Sequence, residues 1–128
     1  MYHVEVVGSG STESFLKVKS KDYEFIIDTK GKGITPVDTL LASLGSCIGV
    51  YLRKYAEGAR LDLGEFVITV EAEFSKEPPF CFKQIKAAID LKGLKLEERR
   101  QKALLEFIKN CPVHNTLEAQ SHVQIDLV

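Results

Sequence analysis

Three cysteines, at positions 47, 81 and 111, are the residues of this chain best suited to chemistry, and two of them sit in unusual company. Cys111 opens Cys-Pro-Val-His114, which has the grammar of a helix N-terminus, with Cys near the N-cap and Pro at the first helical position. There the free backbone N–H groups and the helix dipole favour thiolate over thiol. His114, three positions on, lies on the same side of a helical turn and offers a charge or a proton path. Cys47 lies inside an apolar stretch rich in small residues, Thr35-Pro-Val-Asp-Thr-Leu-Leu-Ala-Ser-Leu-Gly-Ser-Cys-Ile-Gly-Val-Tyr-Leu52. No helix end helps it, and apolar burial raises a thiol pKa unless a cation is near. Each cysteine has a plain alternative: Cys47 as an inert small hydrophobe, Cys111 and Pro112 as a chain break with His114 on the surface. Cys81 follows Pro-Pro in a strand pattern, and core or edge packing is its expected role.

Asp38 lies nine residues before Cys47, which at about 100° and 1.5 Å per residue puts it on the opposite helix face and about 13 Å away. It cannot touch the thiol of its own chain, so helix capping is its default reading. His3 and His122 fall on strand patterns and, with His114, show no metal-ligand spacing. No metal site is expected from them.

The odd cysteine count at wide spacing fits neither a secreted disulfide framework nor a CxxC metal site, so any Cys-Cys bond is expected to be transient. The opening Met-Tyr-His-Val-Glu-Val-Val reads as a strand and lacks the features of a signal peptide, which points to the cytoplasm. A net charge of -1 gives no bulk attraction to nucleic acid or anionic membrane. Leu40 to Leu52 is too short and too rich in Gly and Ser for a bilayer span of about 20 residues. With 128 residues, 45% hydrophobic and 27% charged, the chain reads as one globular domain.

The elements that must hold these cysteines follow from periodicity. Residues 2–7, 14–19 and 23–28 read as an antiparallel meander with a turn over 8–12 and with Lys17, Lys19 and Lys21 solvated. Lys30-Gly-Lys-Gly33 breaks the sheet. Thr35-Pro36-Val37-Asp38 starts a helix running to about Ala56, whose apolar residues go nearly all round, so other elements should sandwich it. Ala42, Ser43, Gly45, Ser46 and Gly49 leave room for another backbone, and two helical glycines at about 1 kcal/mol each suggest that the room is needed. Residues 65–74 and 80–91 read as paired strands, 96–109 as a helix, Pro112 onward as a helical turn and 121–128 as a last strand. The order βββ-α-ββ-α-(turn)-β is an α+β pattern.

Gly33-Ile-Thr-Pro-Val-Asp-Thr-Leu-Leu-Ala-Ser-Leu-Gly-Ser-Cys47, with Asn110-Cys-Pro-Val-His-Asn-Thr-Leu117 following at a Cys-to-Cys separation of 64, resembles the OsmC/Ohr family over nearly the whole chain. The resemblance implies an OsmC-like α+β fold, antiparallel sheets wrapped around a buried central helix in an intertwined homodimer. It implies a thiol peroxidase in which Cys47 attacks the peroxide and becomes a sulfenic acid, and Cys111 resolves it as a disulfide. A lipoyl or thioredoxin-like dithiol then restores both thiols. Better-characterised members hold the thiolate with an arginine from the N-terminal sheet and a glutamate near the start of the central helix. Here no arginine precedes Arg53, and Val37-Asp38 stands near the glutamate's place, closer to the less-characterised OsmC-like branch. By that resemblance Asp38 acts across the dimer, with Lys17 or Lys30 as candidate cation.

The leading expectation is therefore an OsmC-like reductase of organic hydroperoxides, with Cys47, Cys111, Asp38 and His114 as its site and with no cofactor. A binding module for a small hydrophobic molecule on the same scaffold is the alternative. Sulfur or acyl transfer through Cys111, with His114 as base, is a third.

Overall fold

Alternation in the first forty residues does produce a three-stranded antiparallel sheet. The computed structural model describes residues 1–10 and 13–128, so Ser11 and Thr12 of the expected turn lie outside the described residues. Strand β1 is Glu5–Val7, β2 is Phe15–Ser20 and β3 is Tyr23–Asp28, in the order β1-β2-β3. Glu5 pairs with Lys19 and Phe15 with Asp28. β1 is shorter than the alternation suggests because β2 ends at Ser20 and turns through Lys21, leaving no partner backbone for Tyr2 and His3. Lys17, Lys19 and Lys21 are exposed, as their positions predict.

Asp28, a residue the sequence reading passed over, ends this sheet. It is buried and its carboxylate accepts the backbone N–H groups of Lys30 (3.1 Å) and Lys32 (2.8 Å), folding the Lys-Gly-Lys-Gly segment back so that Asp28 N–H reaches Ile34 O. Burial pushes the Asp28 carboxyl up, but hydrogen bonds from Ser14, Lys32 and Lys30 outweigh it and leave the group below its ordinary value. A depressed native pKa means that the unfolded chain binds the proton more tightly in acid. The stabilisation is therefore present above about pH 4 and lost as pH falls through the native value. Asp28→Asn should flatten the acid limb of the stability curve in urea titrations from pH 7 to pH 2; an unchanged limb would contradict this.

The central helix α1, Pro36–Gly58, starts as its sequence dictates. Thr35 Oγ1 accepts Asp38 N–H at 3.1 Å and donates to Asp38 Oδ2 at 2.8 Å. The helix passes through Gly58 instead of stopping before it, and ends where Arg60 turns left-handed and Leu61 N–H reaches back to Ala56 O.

The chain forms two compact units, residues 1–40 and 41–128, with α1 beginning in the first and continuing through the second. In the second unit, β4 (Val67–Phe74) and β5 (Phe82–Asp90) form an antiparallel hairpin, followed by α2 (Glu98–Ile108) and α3 (Pro112–Ala119). Leu44, Ile48, Leu52 and Ala56, spaced four apart, form the buried stripe of α1. Leu44, Ile48 and Leu52 join Leu104 and Ile108 of α2 and Cys111 in one core. Tyr51 and Tyr55 flank the Phe107 ring at centroid distances of 6.0 and 5.8 Å.

Burial of α1 is one-sided. Ala42, Ser43, Ser46 and Val50 are exposed, so the expected sandwich is not complete within the chain. The small residues on the covered side do admit another element: a methyl built on Gly45 would lie 3.2 Å from Val70 Cγ2, and one on Gly49 3.5 Å from Ile68 Cδ1 and Phe66 Cε2. The two glycines thus differ. Gly49→Ala should gain stability, up to the helix propensity of about 1 kcal/mol. Gly45→Ala must push a stiff β-branched valine and should gain less or lose. Chemical denaturation of both variants checks the order; equal gains would contradict it.

Two expectations fail. Cys81 is exposed rather than packed in a core or an edge. The β4–β5 register shifts between Glu73 and Phe74, since Phe74 pairs with Phe82 while Glu73 pairs with Gln84. Lys83 is the extra residue. Strict alternation breaks there, so Phe82 is half-buried along with Ile85 and Ile89 while Cys81 faces out. Residues 121–128 are not a strand. They alternate apolar and polar, yet all are exposed, and among the described residues no strand pairs with them.

Candidate active site

Cys47 and Cys111 meet. Cys47 lies half-buried on α1, one residue before Ile48 and three after Leu44, which both point into the core that Cys111 completes. Cys111 has no exposed surface, and Cys47 packs against the core cluster that contains it. Both are free thiols.

The local fold around Cys111 follows its sequence. Its backbone N–H closes α2 on Ile108 O at 3.0 Å, its carbonyl accepts Asn115 N–H at 3.0 Å, and Pro112 takes the first position of α3. As N-cap, its sulfur accepts the backbone N–H of His114 at 3.4 Å and is also hydrogen-bonded by that of Val113. Helix starts more often use an oxygen here. A sulfur in that place receives the two donors that stabilise a thiolate.

The balance nevertheless goes the other way. Burial pushes the Cys111 thiol up, and the hydrogen bond and charge of Cys47 add to that, while the N–H groups of His114 and Val113 offset only part. Cys111 is therefore held as a thiol at neutral pH, contrary to what its helix-terminal position alone suggests. Because its native pKa lies above the unfolded value, this group supports the fold fully below the unfolded thiol range of about 8.5, and that support is lost as pH rises through the native value. Cys111→Ser should remove this loss. Urea midpoints of reduced protein that fall equally from pH 8 to pH 10 in the wild type and the variant would contradict it.

The His114 backbone, not its ring, meets the sulfur. Its Nδ1 pairs with Asn115 Oδ1 at 3.1 Å and its Nε2 lies 3.9 Å from Glu118 Oε1. Asp38 is held in the α1 cap by Thr35. His3 and His122 are exposed, and among the described residues no three His, Cys, Asp or Glu side chains gather as metal ligands. Arg53, the first arginine of the chain, lies 5.8 Å above the Phe66 ring.

Sequence reasoning missed a cleft lined by Ile48 and His114, near the two cysteines in the chain, though by neither thiol. A space of about 630 Å³ opens between α1, β5 and α3, lined by apolar Leu44, Ile48 and Phe82 and by polar Lys83, Gln84 and Glu118. Its apolar floor comes from the same turn of α1 that carries Cys47, and His114 brings in the turn that carries Cys111. The apolar residues of α1 and α3 were visible in the chain, but not that β5 lines one cleft with both helices.

The α+β frame thus holds one cysteine on a central helix, packed against the core that a second, helix-capping cysteine completes. Residues 29–127 match the family model described as OsmC-like protein, and the chain belongs to that family. It is 24% identical over 123 residues to a protein of Mycoplasma genitalium named hydroperoxide reductase, covering 90% of this chain and 86% of that one. Its fold is that of an OsmC-like protein from Mycoplasma pneumoniae, with a TM-score of 0.77 at 22% identity over 92% of this chain and 87% of the other. A Psychrobacter arcticus structure, titled for osmotic stress induction and detoxification response, also gives 0.77 at 22% identity, over 91% and 88% of the two chains. Among the described residues no helix is long and apolar enough to cross a membrane.

Proposed function

We propose that this protein is a cysteine-based peroxidase that reduces organic hydroperoxides, with Cys47 attacking and Cys111 resolving. The observation that carries the reading is the packing of a half-buried Cys47 against the core that a fully buried Cys111 completes. The Cys47 thiolate attacks the peroxide O–O bond; one oxygen stays on sulfur as a sulfenic acid, and the other leaves as alkoxide and is protonated to the alcohol. The Cys111 thiol then displaces that oxygen as water, forming the Cys47–Cys111 disulfide. A dithiol, lipoyl or thioredoxin-like, supplies two electrons and two protons to restore both thiols. Leu44, Ile48, Phe82 and Ile85 offer an alkyl group apolar contacts in the neighbouring cleft, beside the polar Lys83, Gln84 and Glu118, and the name of the Mycoplasma genitalium relative agrees with this chemistry.

The working unit in this reading is a cytoplasmic homodimer, with the two compact units forming one OsmC-like domain. The exposed small-residue face of α1 and the exposed Val123, Ile125 and Leu127 at 75%, 89% and 102% support it, because that much regularly spaced apolar surface is costly to leave in water. Asp38 then acts on the thiol site of the other protomer. Light scattering should give twice the 14.3 kDa chain mass. The activity test is consumption of an alkyl hydroperoxide by reduced protein supplied with dihydrolipoamide or a thioredoxin system. Turnover supports the reading, and no consumption with any dithiol overturns it.

A further inference from the structure

The two sulfurs differ sharply in access, and that difference bears on how an oxidised pair would be reduced. Cys111 has no exposed surface, lies among Leu44, Ile48, Leu104 and Ile108, and has its sulfur turned to the first N–H groups of α3. Cys47 keeps a solvent-reachable side. A thiolate must approach a disulfide along the axis of the bond it breaks, so access selects which sulfur is attacked.

We infer that the reducing dithiol attacks Cys47 Sγ, so that the mixed disulfide forms on Cys47 and Cys111 is always the leaving group. The inference rests on the Cys47–Cys111 redox pair proposed above. In the step, a reductant thiolate forms a new S–S bond to Cys47 Sγ while the Cys47–Cys111 bond breaks. The electron pair leaves on Cys111 Sγ, where the N–H groups of His114 and Val113 receive the charge. Burial then favours protonation of that sulfur from solvent, which slows its return to the mixed disulfide. The second thiol of the reductant attacks the reductant's own bonded sulfur, releasing Cys47 as thiolate and the reductant as its disulfide. The reductant loses two electrons and the protein pair gains two.

The order also gives Cys47 both covalent roles, toward peroxide and toward reductant, and makes Cys111 an internal partner that no external molecule touches. A reductant is then selected by how it reaches Cys47 Sγ and not by the sequence near Cys111.

The test uses the 128-residue chain carrying Cys81→Ser, which removes the exposed third thiol. The disulfide is prepared in two ways, with an alkyl hydroperoxide and with diamide, so that failure of the peroxide to form it counts against the peroxidase reading while the diamide sample still tests the inference. Excess glutathione is added briefly, the reaction is quenched in acid, and free thiols are blocked with N-ethylmaleimide. Tryptic cleavage places Cys47 in peptide 33–53 and Cys111 in peptide 110–128. The expected result is at least tenfold more glutathione on the Cys47 peptide, with Cys111 carrying the blocking group. Glutathione equally on both peptides, or mainly on Cys111, would overturn the inference.

Discussion

Cys47→Ser is expected to reduce hydroperoxide turnover to background, a loss of roughly a thousandfold or more, since Cys47 is the thiol that attacks the peroxide in the proposed reading. The fold should hold, because Cys47 is only half-buried and serine is slightly smaller. Cys111→Ser should behave differently. A serine at that N-cap can accept the same His114 and Val113 N–H groups through oxygen, so α3 keeps its start. That variant should reduce one equivalent of peroxide per chain, stop, and carry a Cys47 sulfenic acid that dimedone traps. Steady turnover with the same dithiol in both variants would contradict the assignment of roles. So would a first turnover retained by Cys47→Ser.

Leu52→Ala should be the most damaging simple truncation, at about 2–5 kcal/mol. Leu52 is fully buried at the centre of the α1 stripe, between Ile48 and Ala56 and against the α2 side chains Leu104 and Ile108. Native stabilities of about 5–15 kcal/mol make that a large fraction of the whole. Because the same core encloses Cys111, loosening it should also raise the alkylation rate of Cys111 in reduced protein. Urea midpoints at unchanged slope measure the first effect. A loss below about 1 kcal/mol would mean that the cavity collapses or that α1 packs differently.

The thiol site was largely legible in the chain because its parts are local. Cys-Pro at a helix start, and Thr-Pro-Val-Asp ahead of the central helix, specify their geometry within one turn, and both form as read. The glycines of α1 were legible for the same reason, as Gly45 faces Val70 at a distance where a methyl is tight. What local pattern could not give was the sign of the balance at Cys111. The helix end favours thiolate, but burial beneath Leu104 and Ile108 is a tertiary property, and it wins.

Other features escaped because period-two and period-3.6 patterns do not say what lies opposite. Cys81 faces solvent because one extra residue, Lys83, shifts the hairpin register, and nothing in the alternation of β5 marks that bulge. Val123, Ile125 and Leu127 alternate as in a half-buried strand, yet among the described residues no strand pairs with them. Asp28 reads as an ordinary strand-ending acid, and its grip on Lys30 and Lys32 depends on a fold-back that the glycines permit without announcing.

The central claim is that Cys47 and Cys111 act as one redox pair, and the most direct measurement is peptide mass spectrometry of reduced protein after one equivalent of an alkyl hydroperoxide. The account predicts loss of two hydrogens from the intact chain and a tryptic species joining the Cys47 and Cys111 peptides, with Cys81 still free. Both thiols remaining free while the hydroperoxide stays intact would contradict it, as would oxidation confined to Cys81.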